Sequence, residues 1–325
     1  MRAILLCAGQ GVRFQPLSLV RPKPLTPVQG APLVEHCLRL LHEHGVHDII
    51  IVVGYMREQF SYLVEKYDVT LCYNSLYATH NNYASLACVA DLLDDSLIID
   101  GDLWFTSDFF SRLRPGVSQF VSQPTTHGLE WELKTDADGR IVEVEKWITT
   151  GYGMVGVSYW TGKAARLLAA ELLQCASDAY WEDAALRVIA RTPVYVTRIP
   201  QGFVQEMDTL KDAMDFELLT HEEIAHLCSV DFNPVKLKGL TNNTWLIRSA
   251  DYVLRTLRIP GKGTEAFIQR EHEPVIIAQI AAQGITPATT FYPQGFKTTT
   301  FLDQHRITTF RDLHAGLYAR LVAVL

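Results

Sequence analysis

Cysteine is scarce and never paired as CxxC. The six residues (Cys7, Cys37, Cys72, Cys88, Cys175 and Cys228) are scattered along 325 positions, often inside apolar runs. That spacing excludes a zinc ligand set and describes buried thiols of a reducing compartment. Runs of Lys and Arg are also missing. With 29 basic against 36 acidic residues the formal charge is −7, which argues against nucleic-acid binding as the main role but leaves room for a local anion pocket. No segment approaches the roughly 20 apolar residues of a membrane span, and the N-terminus has no secretory leader pattern. Repeats and low-complexity tracts are absent too. What these absences leave is a soluble, cytoplasmic chain that binds neither membrane nor nucleic acid. It is 48% apolar and long enough for one large or two modest cores.

The chain opens on alternating strand and helix signals. Ala3 to Leu6, Asp48 to Val53, Val69 to Tyr73 and Leu97 to Ile99 are short apolar runs. Between them Leu33, Val34, Cys37, Leu40 and Leu41, then Phe60, Leu63 and Val64, recur at helical spacing. This βαβ alternation predicts a mostly parallel, Rossmann-like α/β sheet covered on both faces. After Phe110 the pattern becomes antiparallel: Trp131 to Lys134, a polar turn at Asp136 to Gly139, then Ile141 to Lys146. Helical signals resume at 164–175, 182–190 and 208–219. Beyond a polar HEE segment the style changes to strands near Lys236, Thr244 and Tyr252, a helix over 265–283, and a hairpin turned by Tyr292 to Gly295. The expected division is a domain over 1–220 and a small α+β domain over 229–325.

The stretch LCAGQGVRFQPL, immediately after the first strand, carries glycines at 9 and 11. Such glycines permit positive φ and let backbone amides approach a polyanion, although a simple βα turn has the same composition. The lysine-bearing P-loop pattern GxxxxGK is absent. Within a dozen positions follow Arg13 and then Arg21-Pro22-Lys23-Pro24-Leu25, with prolines fixing the backbone around Lys23.

AGxGxRxxPL followed by PKPL, with a later strand ending in Asp-Gly-Asp, resembles the nucleotidyltransferases that join a nucleoside triphosphate to a phosphorylated small molecule. Gly54 to Phe60, Tyr77 to Leu86, Tyr180-Trp181 and Gln205 to Asp208 narrow the resemblance to the bacterial CTP:phosphocholine cytidylyltransferases, over Met1 to about Leu219. The resemblance implies that CTP and phosphocholine are the substrates and that Mg²⁺ is the cofactor. Phosphoethanolamine or an aminoethylphosphonate is the competing acceptor, and a non-catalytic nucleotide-binding or docking module is the competing class. It also implies that Ala8, Gly9, Gln10 and Gly11 cradle the triphosphate, with Arg13 and Lys23 neutralising it. Asp102 and Asp208 hold the metal, as hard oxygen ligands should. Asn82 and Ser85 face the cytidine, Asn81 and Asn82 cap the helix that follows, and Lys146 meets the acceptor phosphate. Trp131, Tyr180 and Trp181 enclose the choline head, with Glu130 or Glu182 balancing its charge. His42, His44 and His47 suit a helix C-terminus better than a metal. The oligomeric state stays open, a homo-oligomer included.

The tail carries a second resemblance. Lys238 to Ile247, Tyr252 to Arg255, Ile268 to Glu273 and Thr299 to Asp303 are similar to the N-terminal lobe of choline kinase and aminoglycoside phosphotransferase proteins. It implies that Arg255 pairs with Glu273 and that Thr241 to Asn243 cover ATP phosphates. No HxD catalytic loop or later metal-binding Asp motif exists in the sequence, so kinase activity is not expected. The missing C-terminal lobe is expected in a longer parent chain, or the lobe is vestigial.

Overall fold

β1 (Arg2–Cys7) and β4 (Ile49–Val53) explain the central sheet, because alternate residues of each feed a different core. Ala3, Leu5, Ile49, Ile51 and Val53 belong to one buried cluster, while Ile4, Ile50 and Val52 belong to the other. A strand buried on both faces reads as an unbroken apolar run, as IIIVV does. The computed structural model describes residues 1–125, 130–237, 242–261, 263, 270–282 and 287–301. The chain forms two compact units, one of Met1–Val12 with Arg21–Leu218, the other of Arg13–Val20 with Leu219–Leu325.

In the first unit β1 is followed by a short hairpin, β2 (Pro27–Val28) and β3 (Ala31–Pro32). Then come α1 (Leu33–Glu43), β4, α2 (Tyr62–Tyr67), β5 (Thr70–Tyr73), α3 (Tyr83–Ala87), β6 (Ser96–Asp100) and β7 (Leu103–Phe105). Next are β8 (Gln119–Thr125), β9 (Glu130–Thr135), β10 (Ile141–Ile148) and β11 (Gly151–Trp160). α4 (Gly162–Leu172), α5 (Trp181–Ile189), β12 (Tyr195–Arg198), β13 (Val204–Glu206) and α6 (Leu210–Asp215) complete the unit. The main sheet runs β10-β9-β11-β6-β1-β4-β5, with β8 on β11 and β12 on β8. β1 is parallel to β4 and β6, and β11 is antiparallel to β6, so the parallel core with an antiparallel extension is borne out. α1 covers one face through Val34, Cys37, Leu38 and Leu41. α4 and α5 cover the other through Leu168, Ala184 and Val188.

In the second unit a capping box, Thr220 with Glu223, starts α7 (His221–Leu227), so the HEE segment is a helix rather than an interruption. β14 (Val235–Leu237), β15 (Asn242–Arg248), β16 (Leu254–Pro260), α8 (Glu273–Ala281), β17 (Thr289–Phe291) and β18 (Lys297–Thr300) follow. The five strands form one antiparallel sheet, β14-β15-β16-β18-β17. Tyr252, expected in a strand, sits in the turn before β16 with φ +61°. The expected Arg255–Glu273 pair does not form. Glu273 instead takes both amino groups of Arg258 at 2.6 Å, and Lys297 at 2.6 Å, while Arg255 bonds Asp251 and Ser249. Residues three apart on a strand face opposite ways, so Arg258 and Arg255 cannot serve one partner. Of the residues expected to cover a nucleotide, Asn242 and Asn243 lie on β15, and Thr241 falls outside the described residues, as do Ile268 and Asp303.

The expectation of buried thiols needs correction. Only Cys7, Cys37 and Cys228 are buried, and Cys88 is exposed. The histidines follow the helix C-terminus reading: His42 stands in the last turn of α1 with its ring 5.0 Å from that of His47, and His44, the C-cap residue, bonds the Leu40 carbonyl and Asp108.

Candidate active site

The C-terminal edge of β1 and β6, where ligands of open α/β sheets bind, carries an acidic cluster around one lysine. Lys23 stands in a 3-10 turn, Lys23–Leu25, between two prolines. Its side chain is 10% exposed, with Nζ 2.8 Å from Asp102 Oδ2 and 3.7 Å from Asp208 Oδ1. Asp102 leaves the end of β6 through Gly101, a position with no room for a side chain: a Cβ there would lie 2.7 Å from the Leu6 carbonyl and 3.1 Å from Pro24. β13 pairs antiparallel with β7, Glu206 opposite Leu103, and the Met207 amide continues the ladder to the Asp102 carbonyl at 3.0 Å. That pairing brings Glu206 and Asp208 to Asp102.

One oxygen from each of Asp102, Glu206 and Asp208 lies within 4.8 Å of the others. Asp102 Oδ1 is buried without a hydrogen-bond partner, and a divalent cation would satisfy such an oxygen. Three hard oxygen donors fit Mg²⁺, which takes few protein ligands and keeps its other positions for water or phosphate. Glu206 was not singled out from the sequence, although it precedes Asp208 by two residues. Burial first, then Asp102 and Asp208, push its carboxyl well above the usual carboxylate range. Burial also lifts Glu130 to about 7, with Asp208 adding to the shift. Asp100 is raised well above the normal range by burial and by Glu182 and Asp102, so it stands electrostatically between two groups of residues.

The second group is built on α3 and α5. Asn82 does not cap its own helix. Its Oδ1 accepts the Trp181 amide at 2.8 Å and its Nδ2 donates to Glu182 Oε2 at 3.3 Å, so it satisfies an orphan amide at the start of α5 instead. Asn81 likewise turns to the Asp178 carbonyl. Ser85 is buried and accepts from Asn74 Nδ2 at 3.1 Å. Burial raises Glu182 to about 7, with Asn82 and Lys146 pulling the other way.

The three aromatic candidates separate. Trp181 is 1% exposed, stacked on Phe120 at 5.8 Å and edge-on to Trp160, which makes it a core side chain rather than an open face for a ligand. Tyr180, just before α5, is 46% exposed. Trp131 receives Lys146 Nζ at 3.9 Å from its ring centroid and Trp147 edge-on at 6.2 Å. Glu130 and Trp131 are strand neighbours and face opposite ways, so they do not line one wall. Lys146 also lies 3.0 Å from Asp183 Oδ1. Trp147 and Asp183 escaped the sequence reading because only the pairing of β9 with β10, and of β10 with α5, brings them here. The loop Ala8–Gly11 follows β1, with Ala8 buried, Gly9 and Gln10 exposed and Gly11 at φ +60°, the backbone freedom its sequence predicted. Arg13, in the 3-10 turn Val12–Phe14, is grouped with the second unit.

A choline-phosphate cytidylyltransferase of Streptococcus pneumoniae is 32% identical over 228 residues, 69% of this chain and all of that protein. The chain belongs to the cytidylyltransferase family. It is a nucleotidyltransferase enzyme: the MobA-like NTP transferase domain matches residues 3–128, within the half that carries the glycine loop, Lys23 and Asp102. A 2-aminoethylphosphonate cytidylyltransferase of Lancefieldella rimae is 31% identical, covering 66% of this chain and 91% of that one. The solved CTP:phosphocholine cytidylyltransferase of Streptococcus pneumoniae superposes with a TM-score of 0.63 at 33% identity, over 66% of this chain and 97% of that one. A solved putative glucose-1-phosphate thymidylyltransferase of Bacillus anthracis, 18% identical with a TM-score of 0.52, shares the fold alone. Among the described residues no helix is long and apolar enough to cross a membrane.

Proposed function

We propose that the enzyme transfers CMP from CTP to phosphocholine, releasing pyrophosphate. The observation that carries this reading is the buried Lys23 set against Asp102, Glu206 and Asp208 at the C-terminal edge of the sheet, in a chain whose cytidylyltransferase relatives align over nearly their full length. A phosphate oxygen of the acceptor attacks the α-phosphorus in line, the bond to the β-phosphate oxygen breaks, and pyrophosphate carries the electron pair away. No covalent enzyme intermediate is needed.

The chain's own part is positioning and charge neutralisation. Amides of Ala8 to Gly11 receive the triphosphate, and Lys23 stabilises charge building on the phosphates. Lys146 meets the acceptor phosphate. Asn82 and Ser85 shape the cytidine corner from within, through their bonds to the start of α5 and to Asn74. Asp102 and Asp208, with Glu206 beside them, would hold Mg²⁺, which when bound supplies charge neutralisation on the phosphates. Trp131 and Tyr180 are the faces for a trimethylammonium group, and Glu182 the nearby carboxylate. Glu130, on the Asp208 side, remains available to the acceptor cation from the other direction.

Pyrophosphate release with CTP and Mg²⁺, measured over a panel of phosphocholine, phosphoethanolamine and 2-aminoethylphosphonate, tests the reading. The highest kcat/KM falls on phosphocholine if it is right. Preference for either primary amine refutes the choice of acceptor, and no release with any of them refutes the enzyme reading. For the second unit we propose a kinase N-lobe-like module without phosphoryl transfer of its own. The support is an antiparallel sheet together with α8, whose Glu273 pairs with cations of two neighbouring strands. ATP-dependent formation of phosphocholine by the purified chain would overturn that.

A further inference from the structure

Asp183 is shared between two elements. Its Oδ2 accepts the Tyr180 amide at 3.0 Å, closing the first turn of α5, and its Oδ1 lies 3.0 Å from Lys146 Nζ on β10. The same ammonium stands 3.9 Å from the Trp131 ring centroid. Carboxylate, cation and indole face are therefore stacked between the β9–β10 hairpin and the helix.

A lysine has four rotatable bonds, so on a strand facing solvent its ammonium visits many rotamers, and ordering it for a substrate costs conformational entropy. Here that ordering is present before any substrate arrives. The carboxylate fixes the direction of the side chain and the indole face fixes its height. Asp183 is itself fixed, because its other oxygen is committed to the helix amide. The pair is a poor candidate for a stability element: Lys146 is 38% and Asp183 30% exposed, and ion pairs at such positions contribute little to folding. An ammonium has three donors, so bonding Asp183 leaves two for an incoming anion.

We propose that Asp183 is a positioning residue for the acceptor: it holds the Lys146 ammonium over Trp131, so that the phosphate of the acceptor meets a cation already in place beside an indole face. This rests on the acceptor reading above. It adds a residue that acts only through Lys146, and it makes acceptor affinity depend on a contact between β10 and α5.

Asp183→Asn separates the two jobs, since the amide oxygen can still take the Tyr180 N–H while the charge opposite Lys146 is gone. The expected result is a rise of about tenfold in KM for the acceptor, the size of one oriented charge contact, with KM for CTP within about twofold of wild type. In a Lys146→Met background the same substitution should add nothing, because the residue it positions is missing. An unchanged acceptor KM, equal rises for both substrates, or an undiminished effect in the Lys146→Met background would each overturn the proposal. The kinetics use whichever phosphorylated amine the wild-type panel selects, so a wrong choice of acceptor shows in the panel and not in this ratio. Should no amine turn over, calorimetric titration of phosphocholine gives the same comparison, and equal affinities of wild type and Asp183→Asn, or no binding by either, overturn it.

Discussion

Met207 donates its amide to the Asp102 carbonyl at 3.0 Å, and that bond joins two stretches of chain more than a hundred residues apart. Because it extends the β13–β7 ladder, Asp102 and Asp208 are aligned by backbone register rather than by flexible side chains. A site that gathers acidic side chains needs such a frame, since they repel one another until a cation arrives.

The first prediction follows from that alignment. Asp102→Asn and Asp208→Asn keep side-chain shape and remove charge, so each should lower kcat by on the order of 10²–10³ while circular dichroism stays that of the wild type. Turnover within a factor of three of wild type for both variants would show that these carboxylates do not hold the metal.

The second concerns pH. Glu182, ordinarily near 4.5, is raised to about 7 by burial, so its contribution to stability is intact below pH about 4.5 and is lost as pH climbs through about 7. Glu182→Gln cannot ionise and is spared that loss. The melting-temperature difference, variant minus wild type, should therefore grow more positive from pH 5 to pH 8. A difference that stays flat or falls over this range contradicts the buried carboxyl.

The third distinguishes two tryptophans. Trp181 fills the core against Phe120 and Trp160, so Trp181→Ala should cost about 3–5 kcal/mol of stability and impair both substrates together. Trp131 should behave differently: its replacement by Ala raises KM for the acceptor selectively. Denaturant midpoints and the two KM values decide the matter, and a stable Trp181→Ala protein with an acceptor-only defect would return Trp181 to the ligand.

The fourth tests close approach. A Cβ on Gly54 would lie 2.7 Å from the Ala8 carbonyl and 2.7 Å from the Tyr77 ring carbon Cγ, so Gly54→Ala must displace the Tyr77 side chain or the start of the glycine loop. A loss of about 1–3 kcal/mol is expected from such overpacking. A raised KM for CTP should accompany it, and a variant matching wild type in both would show that the loop tolerates the shift.

The parallel core was legible because runs such as IIIVV and LIID state their own burial. The position of Asp102 at the sheet edge was legible because a strand end followed by Asp-Gly-Asp is a local pattern. What stayed hidden depends on register and facing. Nothing local tells that Asn82 serves the start of another helix, that Glu130 and Trp131 diverge across a strand, or that Glu273 chooses Arg258 over Arg255. Trp181 reads as a cage aromatic beside Tyr180 until α5 turns it inward.

Asn82 stands at the start of α3 while its side chain grips the first turn of α5, so one residue ties two helix starts together. Any rebuilding of the Asn81–Ser85 corner would therefore also loosen the anchorage of Trp181 and Glu182 at the start of α5. If that corner reads the base as proposed, variants selected for a new donor should arrive already altered towards the acceptor.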